Sequence, residues 1–393
     1  MTGELHITDQ RLEPIAAKVR AGERLTAEDG LLLYQSSDLL AVGWQANYVR
    51  EKRHGNVTYY NVNRHINPTN VCIAHCKLCA FGRSPDAPGA YTFALDEIWQ
   101  RAGEGVAEGA TEFHIVGGLH PDLPFSYYLD LIRGLKERFP QVHLKAFTMV
   151  EVGYYSRISK LSIRDTLLAM KEAGVDSLPG GGAEIFHPRV RKIICDHKVS
   201  GQMWLQIART AHEIGLHSNA TMLYGHVETP EERVDHLIQL RETQDKTRGF
   251  VTFIPLAFHP ANTGLSHIPS PTGFDDLKTI AVSRLILDNF DHIKAYWVML
   301  TPRIAQVAQR FGANDLDGTV VEEKIYHDAG ATTPEHLTRA ELERLIRAAG
   351  RVPVERDTLY NPVDRVKNPI SAAARSPRPS DGFIPETSLT LNL

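Results

Sequence analysis

The sequence predicts an α/β protein built as a parallel (β/α)8 TIM-type barrel, and three observations carry that reading. Apolar or β-branched runs recur at 57–63, 111–116, 142–149, 174–178, 216–222, 250–258, 292–298 and 313–321. Helical patterns lie between most of them. Three of those helices end in a glycine that leads straight into the next run: Gly109, Gly174 and Gly215. Glycine accepts the left-handed conformation common just past a helix. Eight strands alternating with helices fit one barrel better than two stacked domains. The competing arrangement is an open doubly wound sheet, and the lack of a G-x-G-x-x-G after the first run weakens it.

Taken in order, residues 1–55 read as a helical extension too small for a core of its own, with a capping box at Thr26–Asp29 ahead of Leu31, Leu32 and Leu33. Residues 56–330 carry the barrel. Ile98, Ala102 and Val106 form one helical stripe, and Tyr128, Leu131, Ile132, Leu135 and Phe139 another. Residues 331–393 read as a helix over 334–349, with a second capping box at Thr338–Glu341, and a tail. Pro362, Pro369, Pro377, Pro379 and Pro385 among serines and alanines predict no fold for that tail.

Composition narrows the class. The 393 residues carry 43 Lys+Arg against 47 Asp+Glu, so no general field draws nucleic acid or an anionic membrane. Hydrophobic residues are 42% and charged residues 23%, the mix of a globular chain with a full core. No apolar run approaches the roughly 18 residues of a membrane span. The N-terminus has no basic start followed by an apolar stretch, so a cytoplasmic location is expected. The four cysteines are too few for a disulfide scaffold, and three of them fall within Cys72–Cys79, which points to a metal in a reducing compartment.

That segment, Cys72-Ile-Ala-His-Cys76-Lys-Leu-Cys79, follows the first run and precedes the first barrel helix. A loop at a barrel mouth can turn three such thiolates inward around one centre. Three thiolates suit a 4Fe–4S cluster with one iron left open. A zinc would need a fourth ligand from His75, His65 or the distant Cys195. Three unrelated buried thiols fit poorly among His, Lys and Asn. Cys195 itself reads as a buried thiol.

A C-x3-C-x2-C segment on the loop after the first barrel strand resembles the signature of radical S-adenosylmethionine (SAM) enzymes. The resemblance implies that Cys72, Cys76 and Cys79 hold a 4Fe–4S cluster whose fourth iron is bound by SAM. The residue before the last cysteine is commonly aromatic in that family; here it is Leu78, which keeps an apolar wall with less stacking area. Gly117 and Gly118 close the second strand where the family carries a glycine motif facing SAM. Glu184, past the Gly180–Gly182 triplet, stands where family members use a carboxylate on SAM's ribose or amino group. Arg191 is a candidate for the SAM carboxylate or, equally, a solvated helix charge.

Longer strings narrow the resemblance. Asn63–Cys72, Cys79–Phe81, Gly117–Pro124, Gly180–Phe186 and Tyr224–Thr229 look like the menaquinone-futalosine branch over roughly residues 20–360. Asn67-Pro68, Lys145–Thr148 and Phe186–Arg191 look most like its aminofutalosine synthases; the dehypoxanthine futalosine cyclases are the nearest sister group. The implied reaction adds a 5′-deoxyadenosyl radical to the enol-ether double bond of 3-(1-carboxyvinyloxy)benzoate. Rearrangement and loss of a carboxyl group then give 6-amino-6-deoxyfutalosine, with methionine released. SAM is thus a consumed cosubstrate, and an external one-electron donor of flavodoxin or ferredoxin type is expected. His120, Asn219, Thr221, His226, His259 and Arg303 are the candidates, by position, for a substrate with two carboxylates. A non-catalytic iron–sulfur carrier would shield its cluster with four protein thiolates. A zinc barrel hydrolase would show an H-x-H or a His/Asp set at strand ends. Neither pattern is present.

Overall fold

The computed structural model describes residues 6–365; the prolines of the tail beyond Pro362 lie outside them. Ten strands are present among the described residues: β1 Val57–Asn61, β2 Asn63–Ile66, β3 Glu112–Ile115, β4 His143–Ala146, β5 Ser177–Leu178, β6 His217–Tyr224, β7 Phe250–Ala257, β8 His292–Ile293, β9 Asp315–Gly318 and β10 Val352–Glu355. Strands β2 to β8 form one sheet in chain order, every neighbouring pair parallel. Helices return the chain between most of these strands, as a parallel order requires. This is the curled sheet of a β/α barrel, as the sequence predicts.

Two details differ from the sequence reading. The run 57–63 is not one strand. β1 leaves the barrel and joins β9 and β10 in a separate parallel sheet, and only β2 enters the barrel. The run 313–321 fills the eighth position without a regular ladder there: Ala295 N–H donates to the Asp315 carbonyl (2.8 Å) and His65 N–H to the Val321 carbonyl (2.9 Å). Asp317, Val320 and Glu322 take positive φ (67°, 53° and 65°), which interrupts strand geometry across this seam.

The N-terminal extension is helical over Glu13–Ala21, Ala27–Gln35 and Leu39–His54. It packs on the barrel helices Pro230–Thr247 and Gly273–Ile286. Ile15, Val19, Leu33 and Val42 are buried in the common core. The capping box at Thr26 and Asp29 is formed, as is the one at Thr338 and Glu341 ahead of the helix Arg339–Ala348. Gly109, Gly174 and Gly215 all have positive φ. Among the described residues, no helix is long and apolar enough to cross a membrane.

The barrel interior carries charge where aliphatic layers are the common filling. Lys145 meets Glu112 at 2.8 Å, Lys294 meets Asp317 at 3.1 Å and Arg356 meets Asp315 at 2.8 Å, all six side chains buried. Each charge is paired, which is what makes its burial tolerable. This matched layer forms the base on which the mouth is built.

Candidate active site at the barrel mouth

The C-terminal ends of the barrel strands enclose a cavity of about 270 Å³, lined by Cys72, Cys76, Cys79, Gly117, Gly118, Glu184, Asn219, Thr221 and His259 together. Leu78, Phe81, Ile254, Leu256, Phe258, Tyr296 and Met299 supply apolar walls. Such an enclosed, mostly apolar space with a few convergent polar groups is the expected form of a small-molecule site.

The cysteine loop is fixed from three sides. Cys72 N–H donates to the Arg83 carbonyl (2.9 Å), Ile73 N–H to that of Leu119 (3.1 Å) and Lys77 N–H to that of Ile194 (3.0 Å). His75 turns the chain with φ of 43°. All three cysteines are free thiols that line the cavity, whereas Cys195 is buried outside it. Burial pushes the Cys76 thiol up to about 12. A ligand cysteine is a thiolate, so a cation bound here would have to displace that proton. Among the described residues, no three His, Cys, Asp or Glu are gathered closely enough for a single metal ion. A polynuclear cluster asks less of the loop, because each thiolate meets a different iron. The donor set therefore fits a cluster of that kind.

The glycines make room for this loop. A Cβ on Gly118 would lie 2.2 Å from the Val71 carbonyl oxygen, and one on Gly180 2.7 Å from that of Asn219. Only a bare backbone passes at these points. Gly117 N–H donates to one Glu151 carboxylate oxygen (3.0 Å), while the other accepts from Thr148 in the capping box of the helix Met149–Ser159. Burial raises Glu151 to about 7.

Glu184 is 6% exposed and takes φ of 48°. It does not cap the following helix Pro188–Ile194, whose N-cap is His187. Its carboxylate accepts from Lys198 Nζ at 2.6 Å. Burial alone would raise Glu184, but the charge and hydrogen bond of Lys198 outweigh it and hold the carboxyl below its ordinary range. Burial likewise opposes charge on Lys198, but the Glu184 carboxylate outweighs it and raises the ammonium above its ordinary range.

Asn219, Thr221 and Leu223 share one face of β6, as period two implies, and all three line the cavity. Thr221 Oγ1 donates to the Gly180 carbonyl (2.6 Å) and so holds the glycine-rich end of β5. His259 lines the cavity with Nε2 on the Met299 carbonyl at 3.0 Å, and burial lowers it.

Four residues read as candidates do not face the cavity. Arg191 is buried, but its guanidinium donates to the main-chain carbonyls of Gly182, Ala183, Ile185 and Val199, so it braces the loop that carries Glu184. His226 is wholly enclosed, with Nδ1 2.8 Å from Glu228 and Nε2 3.0 Å from the Leu223 carbonyl. His120 turns its Nδ1 back to accept from Asp122 N–H (3.1 Å). Arg303 is exposed on the helix Trp297–Ala308. In each case the residue's place in the chain is silent about the direction of its side chain. Conversely, Lys198, His65, His114 and Glu151 line the cavity although no motif marked them for this role.

Comparison with known proteins bears on this geometry. A model of the radical SAM superfamily matches residues 66–240, and one of the CofH/MqnC C-terminal region matches 247–369. The chain is 52% identical over 368 residues to an aminodeoxyfutalosine synthase of Thermus thermophilus, covering 92% of this chain and 99% of that one. It is 48% identical over 373 residues to an aminodeoxyfutalosine synthase of Streptomyces coelicolor, covering 92% and 96%. Among solved structures, the hydrogenase maturase HydG superposes with a TM-score of 0.71 at 17% identity, over 94% of this chain and 82% of that one, a likeness of fold alone.

Proposed function

The chain belongs to the radical SAM superfamily, among the aminodeoxyfutalosine synthases, and from that premise we propose that it joins the adenosyl group of SAM to 3-(1-carboxyvinyloxy)benzoate with release of methionine and loss of one carboxyl group as carbon dioxide or bicarbonate, giving 6-amino-6-deoxyfutalosine. The observation that carries the reading is the convergence of Cys72, Cys76, Cys79, Gly118 and Glu184 on one cavity at the strand ends. A 4Fe–4S cluster held there would supply the electron for reductive cleavage of SAM to methionine and a 5′-deoxyadenosyl radical.

The chain's own residues do the rest. Cys72, Cys76 and Cys79 are the thiolates that hold the cluster. Gly117 and Gly118 let the end of β3 pass close to the stretch leading into Cys72, and both line the cavity where the methionine part of SAM would lie. Glu184, already charged and held by Lys198, accepts from SAM's ribose hydroxyls or amino group. Arg191 is a positioning residue that fixes the Glu184 loop. Leu78, Leu256, Phe258 and Met299 keep water from the radical carbon. Asn219 and His259 offer polar groups to the substrate near the reacting carbon. The electron donor is a flavodoxin or ferredoxin, and a reducing compartment such as the cytoplasm suits three thiols that must stay unpaired to bind a cluster.

Anaerobic incubation of the reconstituted protein with SAM, a reductant and the benzoate tests this. Methionine and 6-amino-6-deoxyfutalosine, identified by mass in equal amounts, are expected. A parallel incubation with dehypoxanthine futalosine that yields its cyclised product, with no turnover of the benzoate, would overturn the assignment in favour of the sister reaction.

A further inference from the structure

His65 on β2 and His114 on β3 are register partners whose rings stack with centroids 4.6 Å apart and planes 13° from parallel. Both line the cavity, and His65 is only 7% exposed. Among the described residues, neither ring has a hydrogen-bond partner. Other interior imidazoles do: His143 meets Ser177 (2.7 Å), His212 meets Thr247 (2.8 Å) and His236 meets the Thr221 carbonyl (2.9 Å). A buried polar group left unpaired costs free energy unless a ligand completes it. The two unpartnered rings open on the cavity and sit within the sheet, before the strand ends, while the cysteine loop and Glu184 lie beyond those ends.

The surroundings leave no unmatched negative charge to oppose an anion. Beside the rings, Lys145 is the register partner of His114 on β4 and is paired with Glu112 at 2.8 Å. The two acids that also line this part of the cavity are already matched, Asp317 by Lys294 (3.1 Å) and Glu323 by His327 (3.1 Å). Burial keeps both rings from carrying charge in the free protein. Each neutral imidazole still has one N–H to donate.

We propose that His65 and His114 form the floor of the substrate site and donate hydrogen bonds to the ring carboxylate of an aryl carboxylate substrate. This rests on the proposed reaction. The alkene must reach the 5′ carbon of SAM near the cysteines and Glu184, so the benzoate end points down the barrel, past Ile254, Leu256 and Tyr296, onto the two rings. The pair then selects for the carboxylated ring.

The test compares the benzoate substrate with its analogue lacking the ring carboxylate, in cluster-loaded wild type, His65→Phe and His114→Phe; phenylalanine keeps the stack and removes the donors. Wild type should favour the benzoate in KM by roughly tenfold to a hundredfold. Either variant should raise KM for the benzoate by about that factor, leave KM for the analogue in place and keep the wild-type Kd for SAM. His114→Gln, which retains an N–H, should recover part of the preference, and it serves if a Phe variant fails to fold. Undiminished discrimination in all three variants would overturn the floor while leaving the reaction standing. A wild-type enzyme that turns over neither compound would overturn both.

Discussion

Lys198 Nζ lies 2.6 Å from Glu184 Oε1 at the edge of the cavity that the three cysteines line, with Glu184 buried and Lys198 partly buried. Glu184 therefore meets any ligand as a charged, oriented acceptor, its position set by Lys198 on one side and by the Arg191-braced backbone on the other.

Breaking one half of that pair should be worse than removing both charges. Lys198→Met leaves a buried carboxylate alone, a change worth about 3–5 kcal/mol of stability. The double variant Glu184→Gln/Lys198→Met should recover much of it, as thermal melts of the four proteins would show. Glu184→Gln alone should weaken SAM binding by roughly tenfold to a hundredfold and leave iron content intact. A lowered melting temperature with unchanged SAM affinity would make Glu184 a scaffold residue.

Replacing Cys72, Cys76 or Cys79 by Ala should abolish both cluster and turnover. The wild-type protein, reconstituted anaerobically, should carry about four irons and four sulfides. Cys195→Ala should carry the same, because Cys195 is buried outside the cavity. Iron and sulfide assays on the four variants decide it; iron lost from Cys195→Ala and kept in Cys76→Ala would reverse the ligand assignment.

What could be read from the sequence was what depends on neighbours along the chain. Cys72–Cys79 and the glycines at 117–118 and 180–182 lie close in sequence because one loop or strand end must carry them, so spacing reveals them. Side-chain direction depends on distant partners. Nothing local to Arg191 announces the four carbonyls that capture it, and nothing near His226 announces Glu228 as its partner. Lys198 stands in a connection with no pattern, and its meaning comes only from Glu184. The division of run 57–63 was hidden for the same reason: β1 is drawn out of the barrel by β9 and β10, more than 250 residues downstream.

Glycine substitutions separate close approach from mere flexibility. Gly118→Ala would set a Cβ 2.2 Å from the Val71 carbonyl oxygen, on the stretch leading into Cys72. Backbone must move, so both melting temperature and iron retention should fall. Gly103, inside the helix Leu95–Ala107, has only the Phe139 ring tip at 3.6 Å. Gly103→Ala should stabilise by about 0.5–1 kcal/mol through helix propensity, with iron content unchanged. A Gly118→Ala protein that holds its full iron complement and melts like wild type would show that the contact relaxes freely.

The pH dependence of stability should carry the signature of His327. Its Nδ1 lies 3.1 Å from a Glu323 carboxylate oxygen, and its Nε2 meets the Thr333 carbonyl at 3.1 Å. Both ring nitrogens thus face acceptors, an arrangement that only the doubly protonated imidazolium satisfies. The hydrogen bond to Glu323 is the main cause that raises His327 from 6.5 to about 9. A raised folded-state value means that the fold binds this proton more tightly than the unfolded chain does. The resulting stability is fully present below about 6.5 and is lost as pH rises through about 9. His327→Gln keeps a donor and removes the titration. The gap in melting temperature between wild type and His327→Gln should be level at pH 6 and below and close progressively by pH 9.5. Since Glu323 and Tyr326 line the cavity, the same pH rise should loosen that wall. A gap that stays constant across the whole range would mean that His327 is neutral in the fold and that Glu323 is held by its other contacts.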